Sequence, residues 1–445
     1  MRFRGLLIAA VLLGALAGGV WWSKKAEKEG GDKASSTESP KILSIPEDQF
    51  QQVEIRKASG DSIVLKKGKD DKWEMTAPQP LPVDQESMRS MVSTLSSLNS
   101  DRVVEEKAPD LGAFGLTKPG LDVTVTRKDG KSTRLLIGDE TPTSGSYFAK
   151  LADDPRVFTM ASWNKTSIDK TPSDLRDKRL LRFESEKLVR VELSAKGETI
   201  EFGKNSQNEW QIIRPRPLRA DGLEVGELVR KLGDAKMDLS SDAGEKKTAS
   251  GFATAQVVAT AKVTDPAGTQ TIEVRKGKDN NYYAKSSAVE GIFKVASDLG
   301  TGVDKKLDDF RTKKLLDFGW NDPSKVEVRD GDKKAEYSKS GDQWTSAGKR
   351  MESADVQALI DKLRDLSSVK FLEGVLANPV FEAAVTSSEG KRVEKVLIAR
   401  QGEKYVAKRE NEPPLYELDA QAFLDLQKAA ASIKPYQAPK DEKKK

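Results

Sequence analysis

Apolar and polar residues alternate along Val53-Glu54-Ile55-Arg56 and again along Ser62-Ile63-Val64-Leu65, the period of a strand with one buried face. Ser59-Gly60-Asp61 between them predicts a hairpin, and Lys72-Trp73-Glu74-Met75 a third strand. Pro78-Gln79-Pro80-Leu81-Pro82 cannot be a central strand, because proline has no N–H for the ladder. After Asp84 the period changes to that of a helix, with Met88, Met91, Val92, Leu95 and Leu98 on one face. Beyond the connection Ala113-Phe114-Gly115-Leu116-Thr117-Lys118-Pro119, a second hairpin is expected over residues 121–137 about Asp129-Gly130. Strands at Tyr147 and at 157–160 follow, then a helical stretch ending in Asp174-Leu175-Arg176-Asp177-Lys178-Arg179-Leu180-Leu181.

The same order returns twice. Tyr147-Phe148-Ala149-Lys150 comes back as Tyr282-Tyr283-Ala284-Lys285 and as Tyr405-Val406-Ala407-Lys408, each with an aromatic eleven residues after its first tyrosine, at Phe158, Phe293 and Tyr416. A recurrence at about 120–135 residues is the size of a domain rather than of a solenoid repeat. Trp210 and Trp344 stand for Trp73, Asp221 and Glu352 for Asp84, and Pro215-Arg216-Pro217 for the first proline stretch. The helix faces are Val225, Leu228, Val229 and Leu232, then Val356, Leu359, Ile360, Leu363 and Leu366. Asp309-Phe310-Arg311-Thr312-Lys313-Lys314-Leu315-Leu316 repeats the first close at a spacing of 135, and the third copy lacks both that close and the proline stretch. A last copy has no following module to receive a connector, which suits a connecting role for the close.

The reading is an α+β chain of three tandem modules of antiparallel sheet with packed helices, after one N-terminal transmembrane helix. Its divisions are an anchor or signal segment at 1–25, a flexible stalk at 26–41, modules at 42–183, 184–318 and 319–436, and a charged tail at 437–445.

Composition narrows the chemistry. With no Cys and no His among 445 residues, thiol nucleophiles, thiolate or His-ligated metal sites, imidazole bases and disulfides are all excluded. Lys and Arg number 75 against 70 acidic residues, for a net charge of +5 with the signs interspersed, which is not the clustered basic stripe of a nucleic-acid binder. No cofactor is expected. Residues 5–22 are uncharged and apolar, flanked by Arg2 and Arg4 and by Lys24 and Lys25. At about 1.5 Å per residue they span about 27 Å, close to a bilayer's hydrocarbon core. Trp21 and Trp22 and the basic N-terminus point to a single pass with the N-terminus cytoplasmic and the modules extracytoplasmic, at a bacterial inner membrane. Ala15-Leu16-Ala17 leaves a second reading open, a signal peptide cleaved after Ala17.

The repeated aromatics Trp73, Trp210, Trp344, Tyr147, Tyr282 and Tyr405 are expected as core or half-core residues ahead of a stacking platform for sugars or bases, with the tetrapeptide lysines on the opposite, solvated face. Asp84, Asp221 and Glu352 are expected as helix N-caps, and Asp221-Gly222-Leu223-Glu224 has capping-box spacing. Gly130-Lys131-Ser132-Thr133 is no phosphate loop, since Val125 stands where its first glycine belongs. The Ser-x-x-Lys spacings at Ser162, Ser167 and Ser367 lack any companion motif. As candidate partner contacts there remain Pro80 and Pro82, as a polyproline ligand or a rigid connector, and Arg176, Lys178 and Arg179, as a docking patch or an inter-module joint.

The tryptophan after a hairpin, the proline-rich approach to a helix, Phe114-Gly115-Leu116-Thr117-Lys118-Pro119, Ile137-Gly138-Asp139, Tyr147-Phe148-Ala149-Lys150 and the close at 174–181 together resemble the bacterial domain-of-unknown-function 4340 family. The resemblance covers most of residues 45–435. It is best in the first module, reduced in the second to Gly251-Phe252 for the Phe-Gly-Leu element, and weakest in the third. It implies an envelope protein with one membrane segment, associated with ABC-type transporters of the gliding-motility kind. It brings no catalytic residues. The expected function is thus a membrane-anchored, non-enzymatic accessory or scaffold with transporter subunits as partners; an envelope glycan- or peptide-binding module is the alternative.

Overall fold

The computed structural model describes residues 40–143, 145–239, 245–319 and 323–437. The apolar segment at 5–22, almost all of the stalk and the tail from residue 438 lie outside the described residues. Among those described, no helix is long and apolar enough to cross a membrane. The protein is α+β and built mostly of antiparallel sheet. Its chain divides into two compact units, Met1–Lys178 and Arg179–Lys445.

In the first unit, β1 (Lys41–Ser44) precedes the meander β2 (Phe50–Lys57), β3 (Ser62–Lys67), β4 (Trp73–Ala77) and β5 (Leu81–Pro82). Helix α1 (Gln85–Ser96) leads through β6 (Ser97–Asn99) and β7 (Val103–Glu105) to β8 (Leu121–Arg127), β9 (Ser132–Glu140), β10 (Ser146–Leu151) and β11 (Val157–Ala161). The short helices α2 (Ser162–Ile168) and α3 (Pro172–Leu175) close it. The sheet order is β5-β4-β3-β2-β8-β9-β10-β11-β7, and β1 pairs separately with β6. Strand alternation places Val53, Ile55, Val123 and Val125 on the face that α1 covers with Met88, Met91, Val92 and Leu95, all buried. Each such side chain contributes about 1.5–3 kcal/mol.

The second unit repeats this plan twice. Strands β12 (Arg190–Ala195), β13 (Glu198–Lys204), β14 (Trp210–Arg214) and β15 (Leu218–Arg219) precede α4 (Gly222–Gly233) and α5 (Glu245–Thr254). Next come β16 (Gln256–Asp265), β17 (Gly268–Lys276), β18 (Tyr282–Ser286), β19 (Ile292–Val295) and α6 (Ser297–Val303). The third copy has β20 (Lys325–Asp330), β21 (Lys333–Ser340), β22 (Gln343–Ser346), β23 (Lys349–Arg350), α7 (Ser353–Asp365) and β24 (Ser368–Leu372). It ends with β25 (Phe381–Ser387), β26 (Arg392–Gln401), β27 (Lys404–Arg409), β28 (Leu415–Leu418) and α8 (Ala420–Ser432). The orders are β15-β14-β13-β12-β16-β17-β18-β19 and β23-β22-β21-β20-β25-β26-β27-β28-β24. Among the described residues, the edge strands β7 and β24 are matched in the second copy only by the bridge Asp238↔Lys294.

Two expectations need correction. Lys285 is exposed and Lys408 half-buried, but Lys150 is buried, because its ammonium turns onto the carbonyls of Leu151 (2.9 Å) and Asp154 in the turn after β10. Asp84 and Asp221 cap their helices by accepting from the N–H groups of Ser87 and of Leu223 and Glu224. Glu352 stands at the same place without capping, and its carboxylate accepts instead from the N–H of Gln437.

The Phe-Gly-Leu element is explained by packing. Gly115 adopts φ +66°, and a Cβ on Gly138 would lie 2.1 Å from the Phe114 carbonyl oxygen, so β9 and this turn touch backbone to backbone. Phe114 then meets Phe148 edge to face, at 4.9 Å between centroids. In the second copy the place of Gly138 along the β18 pairing falls to Arg275, whose guanidinium lies 4.3 Å over Phe252 and donates to the Phe252 carbonyl. A larger residue there suits the helix α5 in place of the tight turn.

Candidate functional site: the closing segments and the strands they bind

In every copy the short strand before the long helix receives a segment from the end of the module. In the first, Val83 bridges Arg176, the Asp84 N–H donates to the Leu175 carbonyl, and the Asp177 N–H to the Pro82 carbonyl. In the second, Ala220 bridges Arg311, with Asp221 donating to Phe310 and Thr312 to Arg219. In the third, Met351 bridges Pro435, with Glu352 donating to Lys434 and Tyr436 to Arg350. The third copy therefore keeps the bonding although it lacks the sequence motif. Only main-chain groups are needed, so the side chains are free to differ.

Among the candidate residues, Pro80 is exposed ahead of β5, and Pro82 lies exposed on β5 with its carbonyl engaged by Asp177. Arg176 and Lys178 are half-buried in the segment bound to that strand, so the structure brings Pro82 and Arg176 together. Arg179 belongs to the second unit, where it bridges Lys236. The proline stretch runs into a sheet edge whose end is covered by the close.

The continuation shows what the close does. Past Arg179, the Leu180 N–H donates to the Ala235 carbonyl, and Leu180 and Leu181 are buried in the second module's core. Past Arg311, Lys314 bridges Ser367, Leu315 donates to the Leu366 carbonyl, and Leu315 and Leu316 are buried in the third module's core. In the first module, β1 lies in the same way beside the segment leaving α1 and buries Ile42 and Leu43.

Within the second unit, residues 311–316 thus bond to the second module at one end and enter the third module's core at the other. Arginines from both sides hold this segment. Arg219 donates to the Lys314 carbonyl at 2.5 Å and Arg409 donates to the Leu315 carbonyl. Both guanidinium groups share the carboxylate of Glu412, at 3.1 Å and 2.7 Å. Glu394, only 4% exposed, accepts from Arg409 at 2.7 Å and from the Asp317 N–H at 3.0 Å. Burial alone would lower the Arg409 pKa, but Glu412 and Glu394 outweigh it and hold the group above its ordinary value. Arg311 packs 3.6 Å over the Phe371 ring, and Arg216 pairs with Glu373, which holds that carboxyl below the usual range. Sequence reasoning missed Arg219, Glu394, Arg409 and Glu412. Their signal is spatial: Glu394 on β26, Arg409 on β27 and Glu412 in the turn after it meet within the third module, and Arg219 on β15 reaches them from the second.

Among the described residues, no group of three or more His, Cys, Asp or Glu is placed to hold a metal ion. The model of the family described as "Domain of unknown function (DUF4340)" matches residues 73–211 and 210–388. Both matches begin at the first residue of the third strand, Trp73 or Trp210, so each runs through a closing segment into the next module. No curated protein and no solved structure matches the chain. With matches running from residue 73 to residue 388 of 445, the chain belongs to the DUF4340 family.

Proposed function

We propose that the protein is a non-enzymatic scaffold or accessory subunit of an envelope assembly, an ABC-type transport system, held at the membrane by residues 5–22 with its modules extracytoplasmic. The observation that carries this reading is the double membership of residues 311–316, bonded to one module and buried in the next. Fixing two modules through a shared segment and a desolvated ion cluster serves a part that must keep partners in a set relation. The apolar, charge-flanked segment at 5–22 supports the anchorage.

The test is crosslinking in intact membranes, followed by purification of the full chain. Membrane components of a transporter should co-purify, and the protein should retain residues 5–22. Cell-wall polymer without transporter components, or a soluble mature protein beginning at Gly18, would contradict the proposal.

A further inference from the structure

The three modules differ at the junction between the long helix and the helix that follows the last meander strand. Ten residues after the N-cap the long helices carry Thr94, Lys231 and Lys362. In the second module Lys231 reaches Asp298 on α6, and in the third Lys362 reaches Asp425 on α8 at 3.3 Å, so each junction is closed by an ion pair. In the first module the positions of Lys231 and Asp298 belong to Thr94 and Trp163, which cannot pair. Both line an open groove of about 720 Å³ beside α1 and α2, within the size range of about 300–1,000 Å³ of small-ligand sites.

The groove's lining is specific in kind. The indole of Trp163 is 65% exposed, and no other described ring or cation packs on it. Asn164 follows it into the groove. It occupies the place of the buried core residue Leu299, is itself only 5% exposed, and its amide makes no hydrogen bond to a described residue. Its nitrogen and oxygen are not among the buried polar atoms left without a partner, so they open into the groove, where water or a ligand can meet them. Around these two stand the Glu86–Arg89 ion pair and the hydroxyls of Ser93 and Thr94. Thr94 donates back to the Ser90 carbonyl and keeps its lone pairs as acceptors.

From this geometry we infer that the first module binds a glycan in the α1–α2 groove. A pyranose ring has an apolar C–H face that stacks on an indole. Its edge of neighbouring hydroxyls matches planar groups such as the Asn164 amide and the Arg89 guanidinium, which bond two oxygens at once. A protein partner would call for an apolar centre with a polar rim. Here a single ring is set among hydroxyl, amide and ion-pair groups.

The experiment is isothermal titration calorimetry of the full chain in detergent, with two probes, a β-1,4-linked N-acetylglucosamine tetrasaccharide and cellotetraose. Saturable binding of at least one probe is expected at millimolar or lower concentration. Trp163→Ala and Asn164→Leu should each weaken it at least about tenfold, while Trp163→Phe should keep it within about threefold, since a ring face remains. The double change Thr94→Lys with Trp163→Asp installs the second module's ion pair and should abolish binding with the thermal transitions unchanged. Absence of saturable binding by both probes, or binding unaltered by Trp163→Ala, would overturn the inference. So would a photo-crosslinker at Ser90 that captures polypeptide and no glycan in intact cells.

Discussion

At the end of the second module the chain bonds back to Arg219 and Ala220 and then runs on, burying Leu315 and Leu316 in the next core. At the end of the third, residues 434–436 make the same bonds to Arg350 and Met351, and Gln437-Ala438-Pro439-Lys440 follow in place of a leucine pair. The comparison separates two jobs that the repeated motif combines. Closing a module is a main-chain task and tolerates any sequence that stays extended. Joining the second module to the third uses the leucine pair, each of whose side chains contributes about 1.5–3 kcal/mol on burial, and a cluster of arginines and carboxylates around the connector.

The largest expected effect lies at the joint. Glu394→Gln leaves the buried Arg409 without its full counter-charge and should destabilise the second unit by on the order of 3 kcal/mol, read from urea unfolding. A change below about 0.5 kcal/mol would mean that the cluster is well solvated, and the difference between joint and close would shrink. Next is a position that extends the comparison to the first unit. Gly138→Ala forces a Cβ against the Phe114 carbonyl and should cost the first unit about 1–3 kcal/mol. Arg275 shows that the fold admits a side chain here only with a different Phe-Gly element. The smallest effect belongs to the terminal close. The Arg350 guanidinium lies 3.8 Å over the Tyr436 ring, so Tyr436→Ala should cost about 0.5–1 kcal/mol. Hydrogen exchange should place that loss in the third module alone, and loss of protection in the second would erase the distinction between closing and joining.

Acid provides a control away from the joint. Asp169 ties Lys57 on β2 to Lys165 on α2, at 2.6 Å and 2.8 Å. Burial tends to raise its pKa, but the two lysines prevail and depress it below the usual carboxylate value. Its contribution is therefore complete above about pH 4 and is lost as the pH falls through the depressed folded value. Asp169→Asn should flatten the acid limb of the first unit's stability profile by about 0.5–1 kcal/mol.

Much of the fold was legible because it rests on local periods. The alternation in β2, β3 and β8, the glycine turns, and the helical faces of α1, α4 and α7 each carry their own signal. What escaped notice has no local signal. Helix α5 contains Gly251 and little apolar periodicity, and β1, β7 and β24 are short edge pieces set by their neighbours. Leu180-Leu181 and Leu315-Leu316 read as the ends of modules, since nothing adjacent to a leucine reveals which core receives it. The burial of Lys150 depends on three carbonyls of a turn that composition does not reveal. Of the candidate residues, Arg176 and Pro82 are drawn together by the Val83–Arg176 bridge, which no spacing announces, and the arginine cluster brings Arg219 to Glu412, 193 residues further along the chain.

The most direct test of the shared connector is native-state hydrogen exchange on Leu315→Ala. The side chain is fully buried in the third core, so a destabilisation of about 2–5 kcal/mol is expected. If residues 311–316 belong to both modules, protection should fall together at residues 218–221 of the second module and at 366–372 of the third. Loss confined to the third module, with 218–221 as protected as before, would contradict the joint on which the scaffold reading rests.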